Sequence, residues 1–466
     1  MDSDLALFVT LAFILWLFWW DRSEKADVSS ALWIPLAWFF ITGSRFTSQW
    51  LGMVGVHVGP SSVEDGSPID AFVFFGLIAF GVYVLYRRRI RLSLFRRQNL
   101  WLTIFLVYCL LAVFWSDFPL IAFKRWIKIL GHPIMVLILL TEANPEESIR
   151  WLFKRTAYLL IPLSILLCKY YPEYGRLYDY WTGTEYYVGA MTDKNALGHV
   201  CMIIGIFFFW NALRAFSNKK QKRRLSELVL SSGFLVLTSW LLKMSSSATS
   251  LITTLLGMSV VWVVGLPFLN KRRIGLCLMA GTFIFVAADS MLGVYENVVH
   301  GLGRNLTLTD RTNIWETVLK LQPSPIWGVG FESFWLGPRA DAFWTMLPEE
   351  KGIEEAHNGY LETYLDLGIV GLSIFATLLA ATFYKIRLDL LKRFELGQLR
   401  MGLFIAIIVY NFTEAAFVSV HFIYVIFFLI AIDYPSVRRT RLSRLTPPAQ
   451  STSARTRVPE RMYCLE

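Results

Sequence analysis

The chain has 466 residues, of which 55% are hydrophobic, 16% are aromatic and 17% are charged. Soluble domains carry roughly 25% charged residues, so this composition excludes an ordinary soluble domain. The net charge of +10 comes from basic clusters beside apolar segments, a pattern typical of cytoplasmic loops that disfavours nucleic-acid binding.

Apolar segments recur along the whole chain. Runs of about 16 to 25 residues can cross a bilayer as helices, and they lack the alternation of membrane-barrel strands. The sequence therefore predicts an all-α polytopic membrane protein with about 12–13 transmembrane helices. The predicted spans are 5–20, 30–43, 69–87, 99–115, 119–141, 151–168, 196–213, 227–243, 248–269, 274–291, 360–384, 401–416 and 418–433.

Basic clusters predict the orientation of these spans. All of them fall on one side of the membrane if every predicted span is real, and the positive-inside rule makes that side cytoplasmic. The N-terminus is then outside and the C-terminus cytoplasmic; loss of the weak first span would not move the later loops. Residues 1–435 form one membrane domain, and the basic tail 436–466 is predicted to be disordered. The clusters are 87–97, 219–224, 271–273, 385–400 and 438–457.

Three predicted outward segments are long, namely 44–68, 169–195 and 292–359, and the last is the largest. The second is rich in Tyr and Trp. Aromatic rings stack on the apolar faces of sugars, and they also form the ordinary belts of membrane interfaces. The sequence leaves both interpretations of this aromatic segment open.

Several ionisable residues are predicted at or inside the spans, where charge is costly and usually faces a cavity or a partner. Arg125 and Lys128 are three residues apart and share a helix face. Lys194 opens a span from outside, and we favour a functional role for it. The alternatives for this group are snorkelling to the interface and buried ion pairing. Its members are Lys124, Arg125, Lys128, His132, Asp193, Lys194, Lys243 and Glu414.

The largest outward segment contains Arg304, Arg311 and Arg339, although the positive-inside rule disfavours arginine there. Arginine provides planar, bidentate donors that suit a diphosphate. The alternative is a set of salt bridges to the nearby acidic residues Asp310, Glu316 and Glu332.

His357 and Asn358 lie where this segment meets the next apolar span. Asn358 is a good N-cap, so a helix is predicted to start there. The positive end of that helix favours a neutral imidazole, whereas Glu354 and Glu355 favour the charged form, so the sequence does not fix the pKa of His357. A neutral histidine here is a candidate general base; the alternative is an interfacial histidine without a catalytic role.

Two glycines follow in the same span. Gly368 and Gly371 lie one helical turn apart, and we interpret them as packing positions that let a neighbouring helix approach closely.

Several chemistries lack their sequence motifs. The sequence contains no phosphate-binding P-loop and no His-Glu-x-x-His zinc motif. Its one Asp-x-Asp, Asp2-Ser3-Asp4, precedes the first span, which disfavours a metal-dependent sugar-nucleotide enzyme. The five cysteines include no Cys-x-x-Cys pair, so neither a disulfide framework nor a cysteine metal site is predicted.

Taken together, four motifs in this order resemble the O-antigen ligase and polymerase superfamily, and within it they look most like exopolysaccharide polymerases of the succinoglycan type. The resemblance covers about residues 100–430. The third and fourth motifs are fairly specific. The motifs are Ser116-Asp117-Phe118-Pro119; Asp193-Lys194-Asn195-Ala196-Leu197-Gly198; Leu302-Gly303-Arg304 with Leu308 to Trp315 and Gly328-Val329-Gly330; and His357-Asn358 with Gly368 and Gly371.

The chain departs from the family pattern at two places. Asp310 stands where the family often has glycine before the loop arginine. Many ligases carry an arginine near the outer end of a middle span, but the corresponding stretch 244–249 has none. If that arginine binds diphosphate in ligases, Lys243 or Arg304 takes its place here or the role is lost. This difference favours a polymerase over a ligase.

The resemblance implies a metal-independent glycosyltransferase without a cofactor, in the bacterial inner membrane. Its donor would be an undecaprenyl-diphosphate-linked oligosaccharide and its acceptor the growing polysaccharide. His357 would be the general base, and Arg311, Arg304 and Lys194 would bind the diphosphate. Supporting residues would be Asn358, Arg125, Lys128 and Arg339.

The family also implies partners and alternatives. Membrane lipids, a chain-length regulator and export proteins are the expected partners, with no nucleic acid. A ligase that transfers the glycan to lipid A-core uses the same chemistry with another acceptor. A flippase of the same lipid-linked glycan is the alternative from a different class, but the sequence shows no internal repeat of the kind found in many transporters.

Overall fold

The computed structural model describes residues 2–22, 28–56, 66–178, 183, 185–218, 224–274, 311–417 and 420–435. Within these ranges the chain is a helical bundle with one short hairpin. The helices are α1 (Ser3–Arg22), α2 (Trp33–Thr42), α3 (Thr47–Met53), α4 (Pro68–Arg87), α5 (Leu92–Gln98), α6 (Leu100–Ala112), α7 (Pro119–Leu140), α8 (Pro145–Tyr170), α9 (Pro172–Gly175), α10 (Lys194–Ser217), α11 (Arg224–Met244), α12 (Ala248–Gly265), α13 (Arg311–Lys320), α14 (Pro338–Met346), α15 (Gly359–Lys392), α16 (Phe394–Thr413) and α17 (Phe422–Ala431); the strands are β1 (Arg176–Tyr178) and β2 (Glu185–Tyr187).

The predicted all-α polytopic fold is confirmed. In the described ranges, 8 helices are long and apolar enough to cross a membrane, or 9 if the bent pair α5–α6 is one span. Every predicted span except 274–291, which lies outside the described residues, coincides with a helix. Helices α2 and α17 are apolar but short, and α7 carries the charged residues Lys124, Arg125 and Lys128. For these reasons length and composition alone identify fewer spanning helices than the sequence predicts.

The two ends of the bundle are clear from α10. Asn195, in its first turn, bonds to Glu414 just beyond the end of α16. Asn211, near its other end, bonds to Glu227 in the first turn of α11. We call the end with Glu414 the outer end and the opposite one the inner end.

Buried ion pairs hold the inner end together. They join segments that the basic clusters assigned to a single side of the membrane, which agrees with the predicted orientation of the helices. That this side is cytoplasmic stays a prediction. The pairs are Arg88–Glu142, Lys154–Glu227, Arg155–Asp21 and Arg400–Asp389.

The described part of the predicted outward loop, 311–358, is folded rather than irregular. It contains α13 and α14, which pack around a hydrophobic cluster of their own. The cluster also includes Leu365 from the first turns of α15, so the loop is anchored to the span that follows it. Its buried members are Ile314, Val318, Val329, Phe334, Phe343, Ala356 and Leu365.

The aromatic outward segment contains the hairpin β1–β2, in which Leu177 pairs with Tyr186. Arg176 forms an ion pair of 2.8 Å with Glu185 across it. Arg45 donates from Nη1 to the Gly189 carbonyl at 3.1 Å, which ties this segment to the linker after α2. Residues 179–182 lie outside the described ranges.

Helix α15 is broken at Gly368, whose φ of 65° and ψ of −171° are not helical. Its 34 residues would extend about 51 Å as one straight helix, well beyond a hydrocarbon core of about 30 Å. The break separates an outer segment, 359–367, from the membrane-spanning part, 369–392. The outer segment belongs to the folded outer region.

The loop with Gly328 and Gly330 fills the break in α15. Val329 N and Gly330 N donate to the carbonyls of Leu365 and Asp366 at 3.1 and 2.9 Å. On the other side of the break, Ile369 N donates to Pro325 O at 2.9 Å. These bonds replace the helical ones lost at the break, as buried backbone groups require.

The two glycines of the sequence motif therefore have different roles. Gly371 faces Tyr108 of α6, 3.0 Å from an added Cβ, which agrees with the predicted close approach of a helix. The interpretation of Gly368 as a helix-packing position was wrong. Gly368 breaks the helix, and the element that approaches Gly368 is a loop rather than a neighbouring helix. An added Cβ there would lie 2.2 Å from Ile326 O.

Gly368→Ala is expected to destabilise the purified protein by at least about 2 kcal/mol, because alanine combines an unfavourable positive φ with a backbone clash. The measurement is the unfolding temperature in detergent. Gly233→Ala is the matched control, since Gly233 lies in α11 with open space around an added Cβ and alanine favours helix by about 1 kcal/mol. Equal unfolding temperatures for the two variants would contradict this account of Gly368.

Candidate functional site

His357 is held in an unusual backbone conformation at the outer end. Its φ is +50°, a region that non-glycine residues adopt rarely and often at functional sites. Asn358 caps α15, as predicted, by accepting from Tyr360 N at 3.0 Å and Leu361 N at 3.1 Å. On the other side, Ala356 O accepts from Trp315 Nε1 at 2.8 Å. The chain is thus fixed before and after His357, which orients its ring.

Two carboxylates face the same nitrogen of His357. Its Nδ1 lies 2.7 Å from Glu355 Oε1 and 3.4 Å from Glu414 Oε2. The Glu414 side chain is buried, and that of His357 is 22% exposed. The imidazole therefore meets solvent while its Nδ1 edge faces negative charge.

Glu414 is the centre of the site, because groups from three other segments meet there. Its Oε1 accepts from Arg311 at 2.7 Å and from Asn195 Nδ2 at 3.2 Å. Arg311 begins α13, Asn195 lies in the first turn of α10, and Glu414 follows α16. One buried carboxylate therefore positions both the loop arginine and the motif histidine.

The carboxylates determine the protonation state of His357. Burial lowers its pKa, but the contacts with Glu355 and Glu414 outweigh burial and raise the pKa to about 10. The resting site therefore contains an imidazolium at neutral pH, in contrast with the neutral ring considered from the sequence. A raised pKa makes the neutral form of His357 a stronger base than an ordinary histidine.

The stretch without an arginine lies beside this site. Residues 244–249 run from the end of α11 through the turn 245–247 into the start of α12. Thr249 Oγ1 lies 3.2 Å from the hydroxyl of Thr413, the residue before Glu414. Lys243 is exposed. Serine and threonine thus occupy the stretch that corresponds to the arginine-containing stretch of many ligases.

Comparisons with known proteins show which family the chain resembles. A family model described as O-antigen ligase matches residues 233–376, a range that includes Arg311 and His357. The exopolysaccharide production protein ExoQ of Rhizobium meliloti (strain 1021) is 27% identical over 298 residues, or 61% of this chain and 64% of ExoQ. The resemblance to the O-antigen ligase superfamily is confirmed. The match thus spans less than two thirds of the length of ExoQ.

The remaining predicted site residues of this O-antigen ligase-like chain do not all join Glu414. Lys194 is the first residue of α10, but its Nζ lies over the ring of Tyr186, 5.0 Å from the ring centre. Its neighbour Asn195 makes the contact with Glu414 instead. Arg304 lies outside the described residues, and its predicted role stays a prediction.

Arg125, Lys128 and Arg339 belong to a second polar region around the loop after Gly330. Arg125 donates to the carbonyl of Glu332, and Lys128 follows one turn later on α7. Arg339 forms an ion pair of 2.7 Å with Asp117, which joins α14 to the first of the family-like motifs. These contacts give Arg125 and Arg339 structural partners away from Glu414.

For Arg311, the salt-bridge alternative is correct in kind but not in partner. Arg311 pairs with Glu414, 103 residues away, whereas Glu316 pairs with Lys320 on the surface of α13. The sequence identifies Glu414 as a charge at the end of a span but indicates no role for it. The sequence indicates Glu355 only as a neighbour that favours the charged form of His357. An acidic residue at an outer span end was the one signal that pointed to Glu414.

Within the described ranges, Glu355, His357 and Glu414 form a group whose donor atoms lie within 4.8 Å of one another, as a metal ion would require. The guanidinium of Arg311, 2.7 Å from Glu414, already supplies positive charge to this group. A divalent cation bound here would meet its repulsion.

Proposed function

We propose that this protein is a polysaccharide polymerase of exopolysaccharide synthesis, acting at the periplasmic face of the bacterial inner membrane. It joins oligosaccharide repeat units carried on undecaprenyl diphosphate. The observation that carries this proposal is the attachment of both Arg311 and His357 to Glu414 at the outer end.

In the proposed reaction, a hydroxyl oxygen of the acceptor attacks the anomeric carbon of the donor glycan. The new carbon–oxygen bond forms as the bond to the diphosphate breaks, and undecaprenyl diphosphate leaves with that electron pair. His357 takes the hydroxyl proton through the imidazole nitrogen that does not face the carboxylates, so His357 must first lose its resting proton. Glu355 and Glu414 lie 2.7 and 3.4 Å from Nδ1, and their negative charges stabilise the imidazolium that forms.

Arg311 stabilises the charge that develops on the leaving diphosphate. A guanidinium is suited to bidentate contacts with phosphate, and Glu414 keeps this one beside His357. Arg304 and Lys194 are further candidates for the same diphosphate, with Asn358, Arg125, Lys128 and Arg339 in supporting roles. No metal or other cofactor is needed in this scheme, because Arg311 supplies the positive charge.

The polymerase is preferred to a ligase on two grounds. The relative described above is named for exopolysaccharide production, and the turn 244–249 contains no arginine. Under this proposal the partners are the lipid-linked oligosaccharide, the growing polysaccharide, membrane lipids, a chain-length regulator and export proteins.

A flippase is disfavoured by the interior of α10. From Val200 to Phe208 this helix is buried and apolar apart from one glycine, so it offers no polar track between the outer site and Asn211. A transported glycan requires polar contacts at several depths of the membrane.

The test of the function is the cell-surface polysaccharide of a deletion strain, separated on a gel, with and without the wild-type gene. Single repeat units in place of long chains, restored to long chains by the gene, would support a polymerase. Long chains stranded on the lipid carrier would mean a ligase. Absence of glycan from the outer face would mean a transporter.

The pH dependence of the reaction is expected to reflect the two carboxylates. With a pKa of about 10, the neutral fraction of His357 falls tenfold per pH unit below that value, so kcat/KM should rise with pH up to about 10. Glu355→Gln removes one charge that raises the pKa and should move this rise to lower pH. The measurement is initial-rate kinetics of the purified protein in lipid vesicles.

The same pKa has a consequence for stability. Because the pKa in the folded protein is above the ordinary value of 6.5, the pairing stabilises the fold fully below pH 6.5 and stops doing so as pH rises through about 10. Unfolding temperatures measured over this range provide the control for the kinetic experiment. Identical pH–rate profiles for the wild type and Glu355→Gln would contradict the role given to Glu355.

A further inference from the structure

A cavity of about 370 Å³ lies at the outer end next to the proposed reaction centre. Glu355 and Glu414 line it, and both contact His357. Its other walls come from residues between the end of α2 and the start of α3, from the start of α10, and from Tyr410, Ala415, Val420 and His421. The volume is at the lower end of the roughly 300–1,000 Å³ range of small-molecule sites.

The lining is polar but not cationic. The described residues that form it include no lysine and no arginine, so a diphosphate would find no counter-charge there. Its acidic groups are already engaged: Glu355 and Glu414 face His357, and Asp193 accepts from Ala196 N at 2.8 Å as the N-cap of α10. A free organic cation therefore finds little uncompensated negative charge.

What remains is a set of neutral hydrogen-bonding groups beside aromatic rings. Gln49, Thr192, His199 and His421 lie around the cavity with Tyr410. The rings of His199 and His421 are 4.6 Å apart. Nδ1 of His421 accepts from Ile423 N at 3.2 Å, which leaves its other ring nitrogen for a ligand. Amides, hydroxyls and neutral imidazoles match the hydroxyl groups of an uncharged sugar.

From this we infer that the cavity binds the terminal, non-reducing sugar of the acceptor oligosaccharide, with its attacking hydroxyl at the wall formed by Glu355 and Glu414. This inference rests on the proposed function and gives it an acceptor subsite. Arg311 does not line the cavity but contacts Glu414, so the leaving diphosphate and the acceptor sugar occupy separate places on either side of that carboxylate.

The origin of the walls suggests where acceptor choice is encoded. Apart from Glu355, the lining residues lie outside the range 233–376 that matches the O-antigen ligase family model. Arg311 and His357 lie inside it. Arg311 and His357 thus come from the range that the family model matches, whereas most of the cavity wall comes from residues outside that range.

The test uses two variants that narrow the cavity, Thr192→Trp at its exposed rim and Ala196→Leu in the first turn of α10. The matched control is Thr345→Trp, since Thr345 is an exposed threonine on α14 that does not line the cavity. The probe is the repeat-unit oligosaccharide released from its lipid by mild acid, which carries no phosphate. Its Kd is measured by NMR titration of purified, folded protein.

We expect the wild type and Thr345→Trp to bind this oligosaccharide alike, and both cavity variants to raise its Kd at least tenfold, or about 1.4 kcal/mol. In the transfer assay the cavity variants should raise KM for the acceptor and leave KM for the lipid-linked donor unchanged. Absence of binding to the wild type, or equal binding by the wild type and the cavity variants, would overturn the inference.

Failure of the proposed function gives a different result. If the wild-type protein binds the oligosaccharide in the cavity but transfers no glycan in vesicles, the polymerase proposal fails and the sugar site stands. If transfer occurs and the cavity variants keep the acceptor KM of the wild type, the polymerase proposal stands and the sugar site fails.

Discussion

Replacement of His357 by alanine is expected to abolish chain extension while the protein remains folded and inserted. A general base contributes typically 10²–10⁴ in rate, and loss of the imidazole also removes the cation that pairs with Glu355 and Glu414. The assay follows labelled lipid-linked repeat units in vesicles that contain the purified protein. The expected loss is at least about a hundredfold in kcat/KM.

The backbone at His357 provides a sharper variant than alanine. Because its φ is +50°, alanine adds local strain, whereas asparagine tolerates this region. His357→Asn should therefore unfold at a temperature closer to that of the wild type than His357→Ala does, and still lack activity. Lys320→Ala, which removes an exposed ion pair on α13, is the control for a harmless change in the same outer region. Wild-type turnover in His357→Asn would remove this histidine from the mechanism.

The part of this site that the sequence predicts is the part encoded locally. An Asn at the start of an apolar run signals a helix start, and the N-cap bonds of Asn358 bear this out. The preceding histidine is then necessarily at the outer end of a span. Apolar runs likewise predict the helices, because a segment within the membrane must satisfy its own backbone hydrogen bonds, and a helix does so whatever its neighbours are.

The contacts of Glu414 could not be predicted in this way. Its partners Asn195 and Arg311 come from segments 219 and 103 residues away, and only the packing of α10, α13 and α16 brings them together. The pKa of His357 depends on the same contacts, so its direction was open until the fold was known. The sequence indicates that Glu414 is a charged residue at the end of a span, where charge is energetically unfavourable, but it does not indicate which residues surround Glu414.

The glycine break shows a second limit of local patterns. A glycine in an apolar run is compatible both with close helix packing and with a helix break. Gly371 takes the first role and Gly368 the second, and the difference comes from the loop 325–330 that bonds to the broken backbone. The outward loop has a polar sequence, yet the apolar residues in its described part form a cluster with the start of α15. These residues are far apart in sequence, so no local pattern predicts the cluster.

Arg311→Ala is expected to cause a loss of comparable size, through the leaving group rather than the base. Removal of one donor that stabilises developing charge costs about 10²–10³ in kcat. The variant also leaves the buried Glu414 without its arginine but still facing His357, so the protein should lose stability, by less than the about 3–5 kcal/mol that a fully unpaired buried charge costs. Arg311→Lys keeps the charge without the bidentate geometry, so its activity should lie between those of the wild type and Arg311→Ala.

The two effects of Arg311 separate in the double variant Arg311→Ala/Glu414→Gln. Glutamine at position 414 removes the unpaired charge while keeping an oxygen for Asn195, so the unfolding temperature should recover toward that of the wild type. Transfer activity should not recover, because the group that stabilises the leaving diphosphate is still absent. Recovery of both would mean that Arg311 acts only as the partner of Glu414, and the diphosphate would then need another cation. Recovery of stability alone, with activity well below that of the single variant Glu414→Gln, supports the proposed role, since the loss of activity then comes neither from a damaged fold nor from the change at Glu414.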